Sequence, residues 1–146
     1  MRTSEIKTEI VTAIEAIVPD KQASARDVFK HVDHAGRFGQ TANQAGRLPD
    51  RVFHVAIASV PTRADFLTVD AYHVDYTITL FYSAGQAYVE DRIAHDAEAI
   101  DQALTLTHRQ NNDLFNLSTT PGGVDEYENH IEVELNTRAL YRLTGV

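Results

Sequence analysis

The chain predicts an α+β domain, a mainly antiparallel β-sheet with two amphipathic helices packed on one face. Three observations carry this. Ile6, Ile10, Ile14 and Ile17 recur at helical spacing, and so do Val89, Ile93, Ala97, Ile100 and Leu104. Tyr72, Val74, Tyr76, Ile78, Leu80 and Tyr82 alternate with His73, Asp75, Thr77 and Thr79, the period of a strand with one wet face. A length of 146 residues with 43% apolar and 23% charged residues fits one globular domain, residues 1–146, large enough to bury a core unaided.

Taken in order, Thr3 and Ser4 are candidate N-caps, and Glu5 suits the positive end of the first helix. Pro19-Asp20 stops that helix, because the residue before proline is pushed out of the α region. Residues 26–33 read as a weak strand or a short turn of helix. Residues 34–50 hold three glycines and a proline, and predict a long loop. Loops of that length in compact domains are usually functional or disordered. A strand follows over Val52–Val60, then a wide hairpin loop over Pro61–Asp70 and a long strand over Ala71–Ser83. The second helix is expected over about Gly85–Leu106, with Glu90, Asp91, Asp96, Glu98 and Asp101 on its polar face. Leu114–Leu117 is a short apolar run, and Thr119-Thr-Pro-Gly-Gly123 reads as a turn. The last strand, about Asn129–Leu143, turns Ile131, Val133, Leu135, Ala139 and Tyr141 one way. Glu132, Glu134, Asn136, Arg138 and Arg142 turn the other.

Composition excludes several chemistries. No cysteine is present, so a disulfide framework or thiolate zinc site cannot form, which fits a reducing cytoplasm. The polar first residues predict no signal peptide, and no run of 18 apolar residues predicts a membrane span. Net charge is −8, and residues 51–146, with six bases against fourteen acids, supply all of it. That balance argues against gripping a phosphate backbone. It suits a surface that nucleic acid passes without adhering, and equally an ordinary soluble acidic protein.

The histidines supply no strong constellation. His31-Val-Asp33-His34 offers three potential ligands in four residues, but no partner cluster at zinc-site spacing, so an exposed turn is the expectation. His73 and Asp75 share a strand face and could orient a general base, but no nucleophile elbow accompanies them. Gly122-Gly123 lacks the context of a phosphate loop, and Asp125, Glu126, Glu128, Glu132 and Glu134 lack a calcium-loop pattern. The expectation is a non-enzyme without cofactor or metal. Long strands and a long polar loop suit assembly with neighbours.

With these parts in place the layout resembles the tail-terminator, or tail-completion, proteins of long-tailed bacteriophages. The matching features are the amphipathic helix near Met1, the Pro19-Asp20 break, and Arg51-Val-Phe-His-Val-Ala-Ile-Ala. The strand Tyr72–Tyr82, the helix from Tyr88 to Ile100 and the final strand ending in Tyr141-Arg142 complete the order, over about residues 4–143. The resemblance implies a virion protein assembled in the host cytoplasm, a hexameric ring that caps the tail tube and halts its polymerisation. Its partners would be itself, the tail-tube protein and a head–tail connector or neck protein, with DNA passing through the lumen unbound. Asp75, Glu132 and Glu134 would then face the lumen or a neighbouring subunit, and Arg37, Phe38 and Arg47 would lie on a contact loop. The family brings no catalytic residues. Alternatives are another head–tail connector, a tail-tube component, or a small ligand-binding protein or hydrolase using His73 and Asp75. An enzyme needs a concavity around both residues; a ring protein holds them on an open or inter-subunit face.

Overall fold

The computed structural model describes residues 1–18, 28–33, 50–66, 69–83, 89–128 and 130–143. Among them the order is α1 (Thr3–Glu15), β1 (Lys30–His31), β2 (Val52–Ile57), β3 (Thr62–Phe66), β4 (Val69–Ser83), α2 (Val89–Arg109), β5 (Leu114–Glu126) and β6 (His130–Arg142). The strands make one sheet in the order β1-β2-β4-β6-β5, with β3 also paired to β4. Every pairing is antiparallel except β1 with β2. The α+β class is as the sequence predicts, with both helices on one face.

That face is the core. Ile6, Ile10 and Ile14 of α1 and Ile100 and Leu104 of α2 are fully buried against Val74, Tyr76, Ile78, Leu80 and Tyr82 of β4 and the apolar parity of β6. Each such side chain contributes about 1.5–3 kcal/mol by leaving water. Two tyrosines fix the start of α1. The Tyr76 hydroxyl donates to the Thr3 carbonyl at 2.7 Å, and Thr3 Oγ1 lies 3.2 Å from the Tyr141 hydroxyl. The cap differs from expectation: Arg2 takes the N-cap position, and the Glu5 carboxylate reaches back to accept its backbone N–H at 3.2 Å.

Two loop expectations are corrected. Pro61–Asp70 is not a wide loop, because β3 pairs with the first half of β4, from Thr62 opposite His73 to Phe66 opposite Val69. β2 stops at Ile57, so β4 offers unpaired backbone beyond it, and β3 takes it up despite lacking apolar alternation. The break between them is tied to β4 as well. Ala58 N–H donates to the Asp75 carbonyl at 2.7 Å, and Asp75 N–H donates to Ser59 Oγ at 2.9 Å.

Thr119-Thr-Pro-Gly-Gly123 is likewise no turn. It lies inside β5, where the register with β6 shifts between Pro121 and Val124. Proline is tolerated because β5 is an edge strand that needs no donor on its outer side. Gly122 is required by close approach: a Cβ there would stand 2.7 Å from the Glu134 carbonyl oxygen and 2.9 Å from its Cβ. The chain reverses beyond, where Tyr127 N–H donates to the His130 carbonyl at 2.8 Å. The loop expected at 34–50, with Arg37, Phe38 and Arg47, lies outside the described residues apart from Asp50, as does the break at Pro19-Asp20.

The open sheet face as candidate functional site

The face opposite the helices collects the other parity of each strand. Register aligns its rows: His54, Thr79 and Glu134; Ala56, Thr77, Asn136 and Thr120; Asp75, Arg138 and Ser118. Asp75, Glu132 and Glu134 therefore share one face, as the strand alternation requires. They do not form a single cluster. Asp75 sits opposite Arg138, whereas Glu134 and Glu132 sit opposite Thr79 and Phe81, nearer the start of β6.

Asp75 is half of an ion pair. Arg138 donates through its Nε to one carboxylate oxygen at 2.7 Å and through a terminal nitrogen to the other at 3.1 Å. This fork geometry is the strong form of the contact. The hydrogen bond from Arg138 is the largest influence on Asp75 and holds its carboxyl below the usual carboxylate range. Asp75 is thus a poor proton acceptor near neutrality. His73 does not join it: its buried Nδ1 has no hydrogen-bond partner, and it is absent from the concavity that Asp75 helps to line. That depression, of about 460 Å³, is lined by Ala58, Asp75, Ser118, Thr120, Asn136 and Arg138 together with Thr137. Hydroxyls, an amide and a paired ion line it, with no nucleophile set against a base.

The acidity concentrates at the other end of the face. His130 Nε2 lies 3.2 Å from a Glu132 carboxylate oxygen, the acceptor of this contact, and the His130 ring stacks on the half-exposed Tyr127 at 4.7 Å. Asp125 of β5 stands opposite Glu132. Beside this acidic end the face is not wholly polar, for Val32, Val52 and Phe81 form a small buried apolar cluster.

Among the described residues no group of three or more His, Asp or Glu side chains converges on a metal position; His34 lies outside them. His31 instead packs beside Phe53 and stacks on His54 with ring centroids 6.1 Å apart. Burial first, then the neighbouring His54, lowers its pKa below the usual histidine value.

The sequence reading missed an ionic network at the end of the sheet where the chain enters β2. Asp96, expected on the polar face of α2, is buried. It accepts from Arg51 Nε at 2.9 Å, from an Arg51 terminal nitrogen at 3.1 Å, and from the Tyr82 hydroxyl at 2.8 Å. Next to it the buried Asp50 pairs with Arg92 and accepts the Ser83 backbone N–H at 2.9 Å. Burial and the Asp96 charge push the Tyr82 hydroxyl well above its ordinary pKa, so it stays a donor. The only sequence signal was an Asp on α2 four residues before Ile100, on the line of its apolar stripe.

Compared with protein-family models and with curated proteins, the chain matches none.

Proposed function

We propose that this chain is a structural protein of a long-tailed bacteriophage that assembles into a ring, caps the tail tube, ends its polymerisation and joins the tail to the head or neck. The observation that carries the reading is the half-covered sheet. Both helices pack on one face, and the other presents hydroxyls, amides and carboxylates along a β4 strand of 15 residues. A lone domain has no evident use for so long a polar face, whereas a ring uses it to line a passage. Glu132, Glu134 and Asp125 make one end of that face acidic, which repels DNA phosphates and lets the duplex slide. Asp75, neutralised by Arg138, lends the passage geometry more than charge. Arg37, Phe38 and Arg47 would reach a neighbouring subunit or the adjoining ring.

The partners are the chain itself, as a hexameric ring, the tail-tube protein and a head–tail connector or neck protein. A neck or tube component would use the same face and would differ in the end of the tube it binds. The test is to add the purified chain to a tail-tube protein under polymerising conditions and measure tube length by electron microscopy. A terminator arrests growth and sits at one tube end; unaltered tube growth at every ratio, with no chain bound, contradicts the reading.

A further inference from the structure

Among the described residues the sheet ends in two edges without a further strand, and their charges match on two rows. Along the sheet, β2 with β3, β4, β6 and β5 alternate in direction. Rotation about an axis along the strands therefore brings the β2–β3 edge of one copy against β5 of the next in antiparallel sense. A closed ring has no translation along its axis. Where the strands run close to that axis, residues on one row meet at about the same level, and strand tilt offsets them by the shear of the ring.

Those rows pair opposite charges. Lys30, Val52, Phe81, Glu132 and Asp125 form one row across the whole sheet, so Lys30 on one edge is level with Asp125 on the other. At the far end, Arg63, Tyr72, Tyr141 and Leu114 form another, which sets Arg63 level with the start of β5 beside Asp113. Strands β1, β2 and β3 carry Lys30 and Arg63 against one acid, Asp65; β5 carries Asp125 and Glu126 and no base.

Both edges are irregular near the same rows. β1 covers the edge only alongside Val52 and Phe53, so the edge steps outward there by one strand, about 4.8 Å. The irregularity in β5 between Pro121 and Val124 falls at the rows of Val55 and Phe53, and a bulge bends its strand. Between the charged rows, Ile57 and Val60 are 52% and 81% exposed, and Ile57 is level with Thr119.

We infer that the two edges join head to tail between copies of this chain, β5 of one against β1, β2 and β3 of the next, in one continuous sheet. This rests on the ring reading above and specifies how the ring closes. The chain has no cysteine, so Lys30→Cys combined with Asp125→Cys introduces the only thiols. On oxidation with copper–phenanthroline the double variant gives a ladder of covalent oligomers ending at the ring mass, and each single variant gives none. Independently, Lys30→Glu and Asp125→Lys each shift the assembly to smaller species, and the two together restore it. A wild-type ring whose double-cysteine variant gives no ladder and whose assembly ignores both charge changes overturns the edge pairing and leaves the ring reading standing. Dimers from Asp125→Cys alone would mean two-fold pairing of β5 and overturn it as well. A wild-type chain that stays monomeric at every concentration, with or without a tail-tube protein, removes the ring reading and the edge pairing together.

Discussion

Arg51 and Asp96, 45 positions apart, meet in a buried fork of two hydrogen bonds, 2.9 and 3.1 Å long, with Arg51 held at a positive φ of 62°. A left-handed backbone costs a non-glycine residue on the order of 1 kcal/mol, and the pair holds it there. The strained residue sits where the chain enters β2, so the ionic contact fixes that entry. Breaking such a pair strands a buried charge. Asp96→Leu should therefore destabilise the fold by about 3–5 kcal/mol, read by urea denaturation. Arg51→Met with Asp96→Leu should recover part of that loss.

Tyr82 is the third partner of Asp96. Tyr82→Phe keeps the ring in the core and removes one donor, so a smaller loss of about 1–2 kcal/mol is expected. Urea unfolding of Tyr82→Phe in the Asp96→Leu background should show almost no further loss, because the hydroxyl's partner has gone.

Gly122 and Gly123 are adjacent yet should respond differently. Gly122→Ala forces a Cβ onto the Glu134 backbone and should cost about 1–3 kcal/mol. Gly123→Ala meets nothing within 4 Å and should leave the melting temperature near that of the parent.

Acid should weaken the fold in two separate windows. His31 has its pKa lowered in the folded state, so the native chain binds fewer protons there than the unfolded one. The neutral form favours folding, and its contribution is full above about pH 6.5 and declines as pH falls toward the folded value. His31→Asn should flatten the drop in melting temperature between pH 7.5 and 5.5.

Asp75 acts in the lower window. Its folded pKa is also lowered, so its contribution is present above the ordinary carboxylate value of about 3.9 and is lost as pH falls through the folded one. Carboxyl NMR should find Asp75 titrating below the usual range, and Arg138→Gln should return it toward that range. Unchanged titration in the variant would contradict the ion pair.

The alternating strands and both helical stripes were legible because burial of one face leaves its period in the sequence. Val74, Tyr76, Ile78, Leu80 and Tyr82 are buried as their parity predicts, as are Ile6, Ile10 and Ile14. What escaped reading depends on partners distant in sequence. Thr62–Phe66 becomes a strand only because β4 outruns β2, and Pro121-Gly122 becomes an edge-strand bulge because Glu134 passes close behind it. Asp96 reads as a solvated acid until Arg51 and Tyr82 fold against it. The candidate face was half legible: alternation places Asp75, Glu132 and Glu134 together, but only the register of β4 with β6 gives Asp75 to Arg138.

The most direct test of the ring is the mass of the purified chain in solution, measured by light scattering on a sizing column across a wide concentration range. A ring-forming chain gives a discrete species of six chains that persists on dilution. A strict monomer at every concentration, unchanged by addition of a tail-tube protein, would contradict it.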